Sequence, residues 1–330
     1  MSDGKVATLQ NWVGKSHTTH SELPLFQTEA LAGAIGATAT PNTGDPLPLP
    51  WHWLYFLEPV RRDGTGEDGH PLKGGFLPPV ALPRRMWAAG KLEVTKPLIL
   101  GLAAEKVSVI TSVESKDGRS GKLVFVSLRH EFNQADELCI TEEQNLVYRE
   151  APQERTALPA GNIIDSEPQF TRRITPDPIL LFRFSALTYN AHRIHYDRQY
   201  AVNEELYPAL VVHGPLLATL LLNLAYENLP NARIETFSFR AVRPTFDSHP
   251  ITLCGRRSGN ELLLWSEDHE GYCCMRAEAT IGSSPSRAIA LDSRSSIADQ
   301  SEAHRQSRYL ATQENRTCSS SPFRTLVTGH

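Results

Sequence analysis

The chain is short of cysteine, and the five it has exclude more than they offer. Cys139, Cys254, Cys273, Cys274 and Cys318 are odd in number, two are adjacent, and none is spaced C-x-x-C. That pattern suits neither a disulfide framework nor a zinc knuckle and points to a reducing compartment. A long apolar run is missing as well. The longest, Leu216 to Leu224, falls far short of the roughly 20 residues a membrane helix needs. Charge of one sign is not in excess either: 33 Lys+Arg stand against 37 Asp+Glu, a formal net charge of -4. No bulk basic character is there to hold nucleic acid. The N-terminus has two lysines, no arginine before residue 61 and no apolar leader core, so it resembles neither a signal nor a typical transit peptide. The expected setting is cytoplasmic, without membrane or nucleic-acid partners.

What is present describes an ordinary soluble protein, 40% hydrophobic and 21% charged. At 330 residues it suits two domains, or one domain built twice. A loose apolar face predicts a helix over Glu22–Ile35, and the cluster W-H-W-L-Y-F-L at Trp51–Leu57 must pack against something large. From Glu105 to Arg149 the period is two: Val107, Val109, Thr111 and Val113 alternate with Ser108, Ile110 and Ser112. K-D-G-R-S-G at 116–121 reads as a turn, Leu123–Phe132 as a second strand, and a third lies near Asn145–Arg149. Five prolines between 151 and 178 mark an extended connector.

The second half then repeats that order of events. A helical region, Ser185–Asn228, precedes strands at Glu235–Arg243, Ile251–Arg257, Glu261–Glu267 and Tyr272–Ile281, the last with Cys273, Met275, Ala277, Ala279 and Ile281 inward. Leucines cover every face of Pro215–Asn228, so that helix must be surrounded, and a sheet curled around it is the economical solution. The expected organisation is an N-terminal unit over 1–150, the connector over 151–178, a second unit over 179–282, and a Ser- and Arg-rich tail over 283–330 that is predicted to be disordered.

The chemistry concentrates in Phe184–Pro215. His192 and His195 are three apart with Asp197 beyond, a pair that can share a cation; no third ligand follows at a recognisable spacing, and the expectation is no metal. His195 can instead transfer protons, because imidazole titrates near pH ~6.5. Asn190 can orient water or a carbonyl, or simply form a turn. His213-Gly214-Pro215 marks a helix start whose free N–H groups favour an oxyanion, or a plain N-cap. Gly64, Gly66 and Gly69 spell G-x-G-x-x-G, but no strand precedes them, Glu67 and Asp68 intrude, and His70-Pro71 follows, so a dinucleotide site is rejected and a polar loop expected.

The blocks F-S-A-L-T-Y-N-A-H-R-I-H-Y-D and V-V-H-G-P resemble the signature of the hydratase 2 (MaoC-like) family, S-G-D-x-N-P-[IL]-H-x-D followed by A-H-G. Gly69–Gly90 and the W-H-W cluster are similar to a narrower subfamily of 3-methylfumaryl-CoA (mesaconyl-CoA) hydratases and mitochondrial hydroxyacyl-thioester dehydratases, which leaves a mitochondrial setting open. The resemblance covers about Leu47 to Ile281. It implies an α+β double hotdog, with the first unit lacking the catalytic motif, and no cofactor. It also implies water addition to an α,β-unsaturated acyl-CoA, with 3-methylfumaryl-CoA or itaconyl-CoA giving citramalyl-CoA. His195 is the implied acid/base, Asn190 its water-holding partner, and Gly214 the oxyanion donor. Arg193, Arg84 and Arg85, with His192 and His213, are candidate contacts for the substrate's carboxylate and the CoA phosphates. Asn190 departs from the broader pattern, which has aspartate there. Alternatives are a 3-hydroxyacyl-thioester dehydratase of fatty-acid synthesis, and a non-catalytic acyl-CoA-binding module. Monomeric pseudo-dimer and homodimer are both compatible with a double unit.

Overall fold

The computed structural model describes residues 8–118, 121–155 and 157–282; the expected disordered tail, and residues 119 and 120 of the expected turn, lie outside the described residues. In chain order the regular elements are β1 (Ser16–Ser21), α1 (Leu25–Ile35), β2 (Arg84–Val94), β3 (Ala104–Gly118), β4 (Gly121–Gln134), β5 (Glu137–Arg149), β6 (Phe170–Ile174), α2 (Pro178–Leu187), α3 (Arg198–Asn203), α4 (Gly214–Asn228), β7 (Arg233–Ala241), β8 (Ile251–Ser258), β9 (Glu261–Glu267) and β10 (Cys273–Gly282). All ten strands join one antiparallel sheet in the order β1-β3-β4-β5-β2-β7-β10-β9-β8-β6.

That order contains the repeat. Each half has five strands, and β1-β3-β4-β5-β2 matches β6-β8-β9-β10-β7 position for position when read inward from the two edges. The halves meet where β2 pairs β7, from Ala89 opposite Arg240 to Glu93 opposite Thr236. The architecture is an α+β double hotdog.

Helix α4 is the filling of the second half. Pro215 stands in its first turn, and Leu216 through Ala225 are all buried. Strands β8, β9 and β10 pack along it, with β2 and β6 at its sides. In the first half the arrangement is looser. Pro24 and a left-handed Gly36 bound α1, which is shorter than the expected Glu22–Ile35 and packs against α2 and the turn Trp51–Leu54. The W-H-W cluster enters the core directly, with Trp51, His52, Leu54, Tyr55 and Phe56 buried.

Three strands escape the sequence pattern. β1 is polar, β2 is broken by a bulge between Trp87 and Ala89, and β6 lies within the proline-rich stretch expected to be connector. β6 pairs with β8 along its whole length. The expected helical region Ser185–Asn228 is also discontinuous. α2 ends at Leu187, Tyr189 takes a positive φ of 51°, and a single 3-10 turn, Arg193–His195, follows before α3. Asp177 and Asp197 cap α2 and α3 by accepting from Leu180 N and Tyr200 N, so each capping acid starts a new helix where one run was expected.

The glycine-rich stretch 61–75 is a loop, with a two-residue bridge between Thr65 and Pro71. It docks onto the segment before α3. Arg193 N donates to Asp68 O at 2.9 Å, and Arg193 Nη1 to Glu67 O at 3.1 Å. Gly69 sits at φ +90°, and a Cβ there would lie 1.7 Å from Ala191 O. Only glycine allows this approach. Gly69→Ala is expected to cost on the order of 1–2 kcal/mol and to undock the loop. Hydrogen exchange would register this as faster exchange of the Arg193 amide; an unchanged Arg193 amide would contradict it.

Candidate active site

The loop after α2 turns back on itself before α3, and the turn is built by Asn190. Its Oδ1 accepts from His192 N at 3.0 Å, and its own N–H donates to Ser185 O at 2.8 Å. Turn formation, one of the two expectations for this residue, is thus a contact the structure contains. The side-chain amide group is left with its N–H2 to donate.

Four imidazoles gather behind this turn. His195 and His213 stack with centroids 3.7 Å apart; His192 meets His195 edge-on at 5.3 Å; His70, from the docked loop, lies 4.1 Å from His192. His192, His195 and His213 are each at most 9% exposed. His195 Nδ1 is 2.7 Å from Val211 O, so it carries the proton, donates there, and leaves Nε2 as a lone pair. His213 Nε2 is 2.8 Å from Ser185 Oγ, while its Nδ1 is buried without a partner.

Burial dominates the electrostatics. It pushes His195 down to about 4, the Val211 carbonyl opposing it only in part. Burial and the neighbouring His70 and His195 push His192 down as well, and burial with His195 and His192 holds His213 well below the ordinary range. The cluster is therefore neutral at pH 7. One carboxylate reaches it from the docked loop. Asp68 Oδ2 accepts from His70 Nδ1 at 2.9 Å and Asp68 Oδ1 from His70 N at 3.0 Å. Burial raises the Asp68 carboxyl, but these bonds outweigh it and keep the group ionised.

Asp68, His70 and His192 place one ligand atom each within 4.8 Å of one another, a spacing a cation could use. His70 Nδ1 is already committed to Asp68, however, and the arrangement stands on its own as a carboxylate–imidazole pair. Asp197, the acid that follows His192 and His195 in the sequence, does not join them, because its carboxylate is held by Arg193 Nε and Nη2 at 3.0 and 2.8 Å.

Two cavities meet at Asn190, which lines both. The outer one, about 380 Å³, runs between the docked loop at Gly69 and His70 and the α2 side at Phe182, Ser185 and Tyr189. The inner one, about 250 Å³, is walled by Trp53, Trp87, Phe132, Phe184 and Pro215 and ends on Lys106, His130, Glu142 and Gln144. Pro215, in the first turn of α4, lines the inner cavity, and of the clustered histidines His70 alone lines the outer one. The N–H of Gly214 before it has no intrahelical partner. A Cβ on Gly214 would meet nothing closer than Trp87 O at 3.6 Å. Nothing in the chain itself demands glycine there. A larger cavity, about 570 Å³, lies around Arg84, Arg149, Tyr207 and Arg243, with none of the clustered histidines in its wall.

The expected arginines fall differently. Arg84 forms a buried ion pair with Glu205 and stacks over Tyr207, so its charge is spent. Arg193 clamps Asp197 and the Glu67 carbonyl and lies 4.0 Å from the Tyr200 ring centroid. Neither guanidinium is free for a planar anion. Arg85 lines a small cavity beside Asp68, His70 and Lys73. Sequence reasoning missed Asp68 and His70, which lie inside the loop read only as a failed nucleotide motif; a histidine two residues after an aspartate was the available signal. It also missed the inner cavity's polar end, contributed by strands of the other half.

Comparison with known proteins gives the family and the fold. Residues 50–247 match the family described as hydroxyacyl-thioester dehydratase type 2. A mesaconyl-C(4)-CoA hydratase of Chloroflexus aurantiacus is 42% identical over 277 residues, covering 82% of this chain and 97% of that protein. A mitochondrial hydroxyacyl-thioester dehydratase type 2 of Schizosaccharomyces pombe is 30% identical over 243 residues, 65% of this chain and 78% of that protein. Among solved structures, a MaoC-like dehydratase aligns with a TM-score of 0.62 at 14% identity, over 83% of this chain and 99% of that one. HtdX of Mycobacterium tuberculosis aligns with a TM-score of 0.59 at 16% identity, over 80% and 99%. The chain therefore belongs to the hydroxyacyl-thioester dehydratase type 2 family, and it is a hydro-lyase acting on acyl thioesters.

Proposed function

We propose that the protein hydrates a short, branched, carboxylate-bearing enoyl-CoA, 3-methylfumaryl-CoA or the isomeric itaconyl-CoA, to citramalyl-CoA. The observation that carries the reading is a buried His195, its Nδ1 committed to Val211 O, stacked at 3.7 Å on His213, the residue that precedes the first turn of α4. The 42% identity to a mesaconyl-C(4)-CoA hydratase across nearly its whole length supports this substrate over a fatty acyl chain.

Each group has a role in that reaction. The pantetheine arm lies in the outer cavity and the acyl group reaches inward past Asn190. His195 Nε2 takes a proton from water, whose oxygen forms a bond to Cβ. With 3-methylfumaryl-CoA, whose double bond is conjugated with the thioester, the Cα=Cβ electron pair moves to the thioester oxygen as an enolate, held by Gly214 N–H and the positive end of α4. The proton on His195 then passes to Cα, and the enolate collapses to the thioester. Asn190 Nδ2–H holds the water. Because asparagine cannot supply the charge the broader family keeps at this position, the Asp68 carboxylate, acting through His70 and His192, stabilises the imidazolium as it forms. In this reading the second half, 179–282, carries the chemistry and the first, 1–150, completes the site, in one chain acting as a pseudo-dimer.

Incubation of the pure protein with 3-methylfumaryl-CoA, itaconyl-CoA, crotonyl-CoA and a long enoyl-CoA, followed by enoyl absorbance, is expected to favour the first two. Preference for the long chain would move the assignment to fatty-acyl dehydration. His195→Gln should lower kcat by roughly a hundred- to ten-thousandfold with the circular dichroism spectrum intact; near-normal turnover would remove His195 as the base.

Gly214→Ala is expected to leave the melting temperature unchanged, since the chain has room for the methyl. It should nevertheless lower kcat/KM by about tenfold or more, because the methyl displaces the thioester from the N–H. Normal kcat/KM would place the oxyanion elsewhere.

The pH dependence has a fixed sign. His195 and His130 both titrate near 4 when folded and near 6.5 when unfolded, so below pH 6.5 the unfolded chain binds more protons. Their contribution to stability is complete above about 6.5 and is lost as pH falls towards 4, on the order of 3 kcal/mol each by pH 4. Urea unfolding between pH 8 and 4.5 should give a plateau followed by an acid decline, and kcat/KM should stay level from pH 8 to 6. An activity limb centred near 6.5 would contradict a buried neutral base.

A further inference from the structure

The inner cavity has a floor that the proposed chemistry does not use. It is a polar stripe across three strands of the first half. Lys106 and Ser108 come from β3, His130 from β4, and Glu142 and Gln144 from β5. Ser108 stands opposite His130 and His130 opposite Glu142 in the two ladders, which puts them in one row on the inward face. Polar side chains on a face otherwise built of core residues carry a desolvation cost and call for partners.

Most of them have one. Glu142 Oε2 accepts from His52 at 2.9 Å and from Trp53 Nε1 at 3.0 Å, so its charge is spent anchoring the W-H-W turn. Burial opposes its ionisation, but those bonds hold the carboxyl below its usual range. His130 lies between Ser108 Oγ at 2.8 Å and Gln144 Oε1 at 3.2 Å. With its oxygen taken, Gln144 has its amide N–H2 left to donate. Glu58, the other acid that Lys106 senses, is held by His17 Nε2 at 2.9 Å. Lys106 is the exception. Among the described residues no carboxylate forms an ion pair with it, and its Nζ lies 6.0 Å from the centroid of the Phe132 ring. Burial pushes its pKa down, and the nearby Glu142 and Glu58 carboxylates oppose that only in part.

The same cavity contains Asn190 and Pro215, so Lys106 faces the space into which an acyl group must project from the α4 start. We propose that Lys106, assisted by the Gln144 amide, binds the distal carboxylate of a dicarboxylic acyl group and so selects short carboxylate-ended thioesters over neutral ones. This rests on the hydratase reading above and deepens it. Arg193 and Arg84, two of the three arginines the sequence favoured for this task, are occupied, whereas Lys106 shares the cavity with Asn190 and Pro215 and has no ion-pair partner among the described residues. A fatty acyl chain would need an apolar end to this cavity, and finds charge instead.

Two unreactive thioesters of equal chain length, succinyl-CoA and butyryl-CoA, isolate the carboxylate. Calorimetry on the wild-type protein is expected to give tighter binding of succinyl-CoA, by roughly ten- to hundredfold. Lys106→Met, which keeps the apolar stem and removes the charge, should erase that preference. It should lower kcat/KM for 3-methylfumaryl-CoA by a similar factor while leaving crotonyl-CoA within about twofold. Equal losses on both substrates would make Lys106 structural and overturn the proposal, as would a wild-type protein that binds the two thioesters alike, a comparison that needs no variant to fold. Wild-type turnover of crotonyl-CoA without discrimination would sink the anchor and leave the hydratase standing. Failure to turn over any enoyl-CoA would sink the hydratase reading, with the succinyl preference still measurable on its own.

Discussion

A helix with apolar side chains on every face has no stable position at a surface, and the rest of this molecule follows from that constraint. Leu216 to Ala225 are buried without a break, so α4 must be enclosed by sheet on one side and by chain from the other half elsewhere. Tyr226 ties the two halves together: partly buried against the core, its hydroxyl accepts from Leu49 N–H at 3.2 Å, joining the first half's loop to the helix end. A helix immobilised in this way has an immobile N-terminus. Its unpaired N–H at Gly214 keeps a fixed direction, and fixed donors stabilise developing charge without having to reorganise.

Enclosure also sets the protonation of the site. Once His192, His195 and His213 are placed behind Asn190 against the base of α4, water is too scarce to support their charge, and burial holds all three neutral. Neutrality suits a base and leaves the imidazolium formed in the reaction in need of a counter-charge. The family pattern meets that need with an aspartate at the Asn190 position. In the proposed reaction that carboxylate is Asp68, on a loop about 120 residues earlier in the chain that docks through Gly69.

Much of the fold was legible in the sequence because burial and period are local signals. The all-round leucines of α4, the strict alternation of Cys273 to Ile281 and the repetition of helix then meander each translate directly into packing. β1, β2 and β6 were not legible. They are edge or seam strands whose pairing partners, rather than their own side chains, decide their conformation. The site divides the same way. His195, Asn190 and Gly214 are close in sequence and could be read together. Asp68, His70 and Lys106 owe their positions to a sheet register and a docked loop, and neither is written in their neighbours. Lys106 and Ser108 were especially opaque, since polar residues alternating with Val107 and Val109 read as a solvent face; in the double sheet that face closes over the cavity, and the valines sit on the less buried side.

The two halves have diverged in a way the physics makes intelligible. In the first, α1 packs against α2 and the Trp51–Leu54 turn, and Trp51, Leu54, Tyr55 and Phe56 join the core. An aromatic turn fills such a space less completely than a leucine helix does, and it brings its own polar atoms, His52 Nε2 and Trp53 Nε1, which oblige the sheet to present Glu142. That requirement introduces charge into the inner wall, and charge in an inner wall is a means of discriminating among ligands. In the proposed reaction the two halves then divide the work: the second supplies His195 and the start of α4, and the first supplies the polar wall that meets the acyl group.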